Sequence, residues 1–315
     1  MTSSITPFSL ATNNNYNRIL VCAHDAGSAH LILHWIKHFR QKCLFVLSGP
    51  AFDIFSDYFG SILNHQFDTI LETCDCVISG TSWSSDIEDI VRRFAKKHNI
   101  FSIAVVDHWV NYVERFTFSG SIVLPDLLWV SDNYAFEIST RLFPNLAIIL
   151  VENSWLVHTQ NHVLCERIKR FSQPFVDKFR IIYLLEPIRS NWNLLDVCPE
   201  FYTLDYFTSK IQPLISLGYI PSNTEIEIIF RPHPAQNIDF YNPFFASMSS
   251  DFLITIDSNS NLYQSLVIAD LVCGLNSQAL VVAMACNIQS MSVLPPVAPT
   301  CILPHSQLLH LKSLV

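Results

Sequence analysis

Short, almost uninterrupted runs of Val, Ile, Leu, Phe and Cys recur along the chain. They alternate with longer stretches whose apolar residues return every three or four positions. The first kind reads as strands buried on both faces and the second as amphipathic helices; their alternation is the pattern of a parallel sheet with helical crossovers. Strands are expected over Arg18–Ala23, Cys43–Ser48, Cys76–Ser79, Phe101–Asp107, Leu127–Ser131 and Ala147–Val151. Helices are expected over Ser28–Phe39, Asp86–His98 and Tyr134–Leu142, the last opened by the N-cap chemistry of Ser131-Asp132-Asn133.

From Glu152 to Lys178 the rhythm lapses, with one connecting helix, His162–Phe171, stopped before Pro174. It then resumes. Strands follow at Arg180–Leu185, Glu225–Phe230, Phe252–Ile256, Leu271–Cys273 and Ser290–Leu294, with helices at Thr203–Ile215, Asn261–Ile268 and Ser277–Cys286. The expected fold is α/β, with two Rossmann-like domains facing across a cleft. The expected boundaries are a disordered segment 1–16, an N-terminal domain 17–155, a linker 156–178 and a C-terminal domain 179–315. Ligands of open α/β sheets bind outside the carboxyl ends of the strands, so chemistry is sought there.

Composition supports this picture and removes several alternatives. A chain of 315 residues suits two cores of about 150 residues each. Half the residues are apolar, 15% are charged, and mean hydropathy is +0.29. The aromatic segments Phe52–Phe59 and Phe240–Phe245 are read as core rather than as an interfacial surface. Net charge is −8 and no Lys/Arg run forms a phosphate-backbone footprint, which argues against nucleic-acid binding. Nine cysteines are scattered; Cys74 and Cys76 are too close for a Cys-x-x-Cys pair, and reduced thiols are expected. Met1–Tyr16 has no signal-peptide pattern, and no run reaches the ~20 apolar residues that span a bilayer. The cytoplasm is therefore the expected location.

Five strand ends carry candidate chemistry. After the first strand comes His24-Asp25-Ala26-Gly27-Ser28, where small residues permit close backbone approach at a helix N-terminus. Gly80-Thr81-Ser82-Trp83-Ser84-Ser85 combines hydroxyls with an aromatic ring, a set suited to sugar contacts. Asp107-His108-Trp109 ends a central strand, and Asp107, His108 or Asp25 could take a proton from an acceptor hydroxyl. Arg231-Pro232-His233-Pro234 fixes the backbone on both sides of one imidazole and aims a guanidinium fork suited to phosphate. Finally, Gly274-Leu275-Asn276-Ser277 turns a short strand into a helix and offers backbone N–H groups to a phosphate. Neither a dinucleotide fingerprint nor a P-loop is present.

The last two motifs, with Ser277 44 positions after His233, resemble the donor-binding half of GT-B glycosyltransferases. Within that superfamily they look most like bacterial polysaccharide-synthesis enzymes with a His-Pro motif and a downstream Ser/Thr motif. These are the polysialyltransferase-like, capsule Kdo-transferase-like and CDP-glycerol polymerase-like groups. The resemblance implies a metal-independent transferase that needs no cofactor. It would move a sugar from a nucleotide-sugar donor, CMP- or CDP-activated, to a glycan or lipid-linked acceptor in surface polysaccharide synthesis. It implies that His233 and Ser277 meet the donor phosphate, with His233 also catalytic; the residue chemistry above adds Arg231, Gly274 and Asn276 to that phosphate site. The N-terminal half would supply the base, from Asp107, His108 or Asp25, and the sugar or acceptor contacts, from His24, Gly27, Thr81, Ser82, Trp83 and Trp109. A lipid-linked acceptor would bring the protein to the inner face of a membrane. A sugar-nucleotide 2-epimerase or hydrolase of the same fold, and a non-catalytic nucleotide-sugar binding protein, remain open alternatives.

Overall fold

The computed structural model describes residues 6–12, 15–70, 73–82, 85–171, 178–188, 192, 197–233, 236–248, 252–259 and 261–315. The chain divides into two compact units, Met1–Trp155 and Leu156–Val315.

In the first unit the elements run α1 (Pro7–Thr12), β1 (Ile19–Ala23), α2 (Ala26–Ile36), β2 (Cys43–Leu47), α3 (Gly49–Phe59), α4 (Phe67–Ile70), β3 (Cys76–Ser79) and α5 (Ile87–Lys97). They continue with β4 (Phe101–Val106), a hairpin of β5 (Thr117–Phe118) and β6 (Ser121–Ile122), β7 (Leu127–Val130), α6 (Asn133–Leu142) and β8 (Ala147–Leu150). Six parallel strands form a sheet in the order β2-β1-β3-β4-β7-β8. The sequence of β1 shows why both faces are covered. Ile19, Val21 and Ala23 enter one apolar cluster with α2, while Leu20 and Cys22 enter another with Val91 and Ala95 of α5. A strand apolar at every position can be buried only between two helical layers.

Two features of this unit depart from the sequence pattern. The segment expected to be disordered carries α1, whose Leu10 is fully buried in the α2 cluster. The aromatic segment Phe52–Phe59 lies in a helix that the pattern did not predict. Phe55 is buried against Phe45, ring centroids 5.6 Å apart, while Tyr58 remains half exposed.

The second unit opens with α7 (Ser154–Phe171), which begins at the end of the first. Then come β9 (Lys178–Leu184), α8 (Pro199–Ser209), α9 (Ile211–Ser216), β10 (Glu225–Arg231), α10 (Asn242–Ser247) and β11 (Leu253–Ile256). It closes with α11 (Leu262–Ile268), β12 (Leu271–Gly274), α12 (Gln278–Ala285), β13 (Gln289–Ser292) and β14 (Leu309–His310). Its six parallel strands run β11-β10-β9-β12-β13-β14. The stretch expected as a linker is largely helix, and it is anchored. Arg167 donates to Leu266 O at 3.1 Å and Ala269 O at 2.6 Å, and Arg170 donates to Val267 O at 3.1 Å. Two cations thus cover the last carbonyls of α11, where the helix dipole is negative. Tyr241 and Phe244 of the second aromatic segment are buried in the core of this unit, and Phe240 is half exposed.

None of the nine cysteines forms a disulfide. Among the described residues no helix is long and apolar enough to cross a membrane.

Candidate functional site

Each sheet has one place where the strand order reverses. In the first unit it lies between β1 and β3, and in the second between β9 and β12. At such a switch point neighbouring loops diverge to opposite faces of the sheet and leave a crevice at the carboxyl ends of the strands. The motifs at 24–28 and 80–82 flank the first switch point. The motif at 274–277 flanks the second.

At the first switch point, His24 Nδ1 lies 2.8 Å from Asp25 Oδ1. A carboxylate at Nδ1 favours the tautomer with its proton there, which makes Nε2 the accepting nitrogen of the ring. The edge of the ring carrying Nε2 lies over Gly49: a Cβ on that residue would sit 2.6 Å from Nε2, and φ at Gly49 is +53°. Glycine is required here twice, by the backbone and by the imidazole. The loop around His24 is held by Glu88 of α5. His24 N–H donates to Glu88 Oε1 at 3.0 Å, and Ser82 N–H donates to Oε2. Glu88 is 1% exposed. Burial pushes its carboxyl up to about 7, against the opposing pull of the Ser82 N–H, Arg92 and the His24 N–H.

Gly27 marks a close approach of another kind, because a Cβ there would run into Asp107 Oδ2. Asp107 pairs with Arg115 Nη1 at 3.3 Å, and that guanidinium also donates to Thr81 O at 2.8 Å and Val110 O at 3.1 Å. His108 accepts the Trp109 N–H on Nδ1 at 2.9 Å. Burial pushes its pKa down; Asp107 opposes this and Arg115 reinforces it. A neutral ring whose Nδ1 accepts carries its proton on Nε2, so it is a donor toward the outside rather than a base.

Several expected sugar contacts point elsewhere. Thr81 is 1% exposed and its hydroxyl donates to Val105 O at 3.0 Å. Trp109 is 8% exposed and its indole N–H donates to Asp132 Oδ2 at 2.9 Å, while Asp132 Oδ1 caps α6 through Ala135 N–H. Both side chains serve the interior. Ser82 is half-buried with Oγ 3.5 Å from His24 Nδ1. Trp83 lies outside the described residues, as does Pro234.

At the second switch point the expected phosphate cradle has an internal occupant. Glu186, just past β9, accepts the Leu275 N–H at 2.6 Å and the Asn276 N–H at 3.0 Å. Burial raises its carboxyl to about 7, while the N–H groups of Leu275, Asn276 and Ser277 pull it down. A Cβ on Gly274 would sit 3.1 Å from Glu186 Oε1, so the glycine makes room for this carboxylate. Asn276 Oδ1 accepts the Ile302 N–H at 3.0 Å. Ser277 Oγ accepts the Ala279 N–H at 3.2 Å and caps α12.

Arg231 is likewise committed to the protein. Its Nη1 donates to Asp257 Oδ2 at 2.7 Å, Ser265 Oγ at 3.0 Å and Asn259 O at 3.1 Å. Burial opposes the charge on Asp257, but its bonds to Ser265, the Asn259 N–H and Arg231 hold the carboxyl below its ordinary range. The guanidinium expected to fork a phosphate instead ties the ends of β10, β11 and α11 together. His233, two residues past β10, is exposed. The strands β10 and β12 both neighbour β9, so His233 and Ser277 extend from strands two spacings apart, about 10 Å.

Glu88, Glu186, Arg115 and Gly49 were not among the expected site residues, yet sequence signals exist for the first two. Glu88 and Arg92 recur with Val91 and Ala95 at helical spacing, which puts two charges on an apolar face. Glu186 ends a buried strand as Asp107 does.

No family model matches the chain, and no curated protein matches it in sequence. Solved structures do match. The UDP-GlcNAc 2-epimerase of Methanocaldococcus jannaschii is 13% identical, with a TM-score of 0.56 over 87% of this chain and 83% of that one. The UDP-GlcNAc 2-epimerase of Neisseria meningitidis bound to UDP-GlcNAc is 10% identical, with a TM-score of 0.53 over 87% and 82%. MurG of Acinetobacter baumannii is 10% identical, with a TM-score of 0.47 over 89% and 80%. With the two epimerases, at these identities, it is the fold that is shared: the chain has a GT-B-like architecture, two Rossmann-like α/β units with six parallel strands each.

Proposed function

We propose that this protein is a glycosyltransferase that takes a sugar from a nucleotide-sugar donor. The observation that supports this reading is the location of its motifs: His24-Asp25 with Ser82 at one switch point, and Ser277 at the other with His233 two strands away. His24 Nε2, oriented by Asp25, takes the proton of an acceptor hydroxyl. His233 and the Ser277 hydroxyl donate to the donor phosphate, whose charge grows as the sugar departs; groups fixed beforehand for that charge lower the barrier. Glu186 and Arg231 act one layer behind, by holding the Ser277 loop and the β10 terminus.

His24, expected as a sugar or acceptor contact, is the base in this reading, with Asp25 behind it. His108 presents a proton rather than a lone pair, and Asp107 is shared with Arg115, whereas the His24–Asp25 pair has the arrangement of an oriented base. The test is a thermal-shift screen against CMP, CDP, UDP, GDP and their sugar conjugates. A selective rise with one nucleotide, lost in His233→Ala, is expected. No rise with any would refute the nucleotide-sugar reading.

An epimerase would use the first crevice differently. Asp107 packs against Gly27 beside His24-Asp25, and two acid/base groups in one crevice suit inversion at a sugar carbon. Product analysis separates the two: solvent deuterium at C2 of the recovered sugar nucleotide marks an epimerase, and acceptor-dependent release of nucleotide marks a transferase.

A further inference from the structure

The first unit holds an open cavity that none of these motifs uses. It has a volume of about 310 Å³ and is lined by the end of β2 from Val46 to Ser48, by His65, Gln66 and Phe67, and by Ile87. That is the lower end of the range of small-ligand sites, about 300–1,000 Å³.

The cavity wall is fixed in place. Asn64 commits its whole amide to Leu47: it accepts the Leu47 N–H at 2.8 Å and donates to Leu47 O at 2.8 Å. His65 N–H donates to Phe45 O at 2.8 Å. The stretch leading into α4 is thereby fastened to β2, the edge strand of the sheet.

The lining selects the occupant. Among the described residues the lining carries no Lys, Arg, Asp or Glu, a set better matched to an uncharged ligand than to a phosphate or carboxylate. Phe67 and Ile87, partly buried against the cluster of Leu20 and Val77, supply an aromatic face and an aliphatic one. His65 and Gln66 supply hydrogen-bonding groups. A pyranose ring has the complementary surface: a C–H face that stacks on an aromatic ring, and a rim of uncharged hydroxyls.

Location connects the cavity to the chemistry. Ser48 precedes Gly49, over which the His24 ring lies, and Ile87 precedes Glu88, which holds the His24 and Ser82 loops. We propose that this cavity seats a neutral sugar residue of the acceptor beside His24. The term acceptor rests on the transferase reading; the sugar site itself does not.

Saturation-transfer NMR on the full chain tests it, with the methyl glycosides of glucose, galactose and N-acetylglucosamine as probes and with cytidine and uridine as controls. At least one glycoside is expected to bind, about tenfold more weakly to Phe67→Leu and to Gln66→Ala. Phe67 also packs in the core, so Gln66→Ala, on an exposed residue, keeps the result independent of folding. The inference is overturned if no glycoside binds, if binding is unchanged in both variants, or if a nucleoside is the ligand that the variants lose. A nucleotide thermal shift without glycoside binding would sink the sugar site and leave the transferase reading intact. Glycoside binding at this cavity without any nucleotide shift would do the reverse.

Discussion

The two units solve the same structural problem with one device and end with different surfaces. Each has a switch point at which loops from neighbouring strands must be held at a fixed spacing, and each holds them with a buried glutamate that accepts backbone N–H groups. In the first unit Glu88 comes from a helix and ties the His24 loop to the Ser82 loop. In the second Glu186 comes from the strand end itself and ties β9 to the Leu275-Asn276 loop. The first arrangement leaves an oriented imidazole at the crevice. The second fills the N–H cradle at the head of α12 with the protein's own anion, so any phosphate must be met by side chains. A strand-end N–H cradle is therefore a poor guide to an anion site until its internal partners are known.

The comparison breaks most decisively at the two histidines. His233→Ala and His24→Ala should each lower kcat by about 10²- to 10⁴-fold, the usual worth of a positioned acid, base or oxyanion donor. Their effects on donor binding should differ. Removing His24 should slow transfer and leave the nucleotide thermal shift in place, whereas removing His233 should lose both. Loss of the thermal shift in His24→Ala would return the base to Asp107 or another group.

Next come the arginines. Arg231→Ala leaves Asp257, itself 8% exposed, without its cation, and should cost about 3–5 kcal/mol in urea unfolding. If Arg231 instead served the phosphate, stability would be unchanged and only donor affinity would fall. Arg115→Ala in the first unit should cost less, because Asp107 is 13% exposed and water can replace part of the pair.

The glutamates give a pH signature. Both carboxyls stand at about 7 against an ordinary value of 4.5. A raised carboxyl favours the folded state fully below 4.5, and that contribution is lost as pH rises through 7. The loss is on the order of 3 kcal/mol for each group. Between about pH 5 and pH 8 the wild type should therefore lose stability relative to Glu88→Gln and Glu186→Gln, read as the difference in urea midpoint. A difference that is flat with pH would mean that the N–H groups offset burial in full.

The sheets were legible because their strands are apolar at nearly every position. The strand at Cys76–Ser79 matches the structure residue for residue, and β1 differs from its expected range only at Arg18. Helix α3 was not legible, since Gly49-Pro50 at its start reads as a turn and its Phe residues spread over both buried and exposed faces. At the site, residue types and strand ends could be read but partners could not. Nothing in Arg231-Pro232-His233 announces Asp257, which lies one residue past the neighbouring strand and arrives only with the β10–β11 register. The internal partners of Thr81 and Trp109, Val105 O and Asp132, were hidden for the same reason.

The smallest effect sharpens the difference between the units most finely, and it lies at Ser277. Its Oγ accepts the Ala279 N–H, a capping bond whose loss in Ser277→Ala should cost about 1 kcal/mol. Its hydroxyl proton is the part proposed for the donor phosphate. The two roles separate in Ser277→Asp, because a carboxylate caps a helix as well as a hydroxyl does but repels phosphate and sits beside Glu186. Ser277→Asp should thus keep near-wild-type stability and lose donor binding, while Ser277→Thr should retain both. If Ser277→Asp bound nucleotide normally, the head of α12 would be purely structural, and of the proposed donor-phosphate residues only His233 would remain.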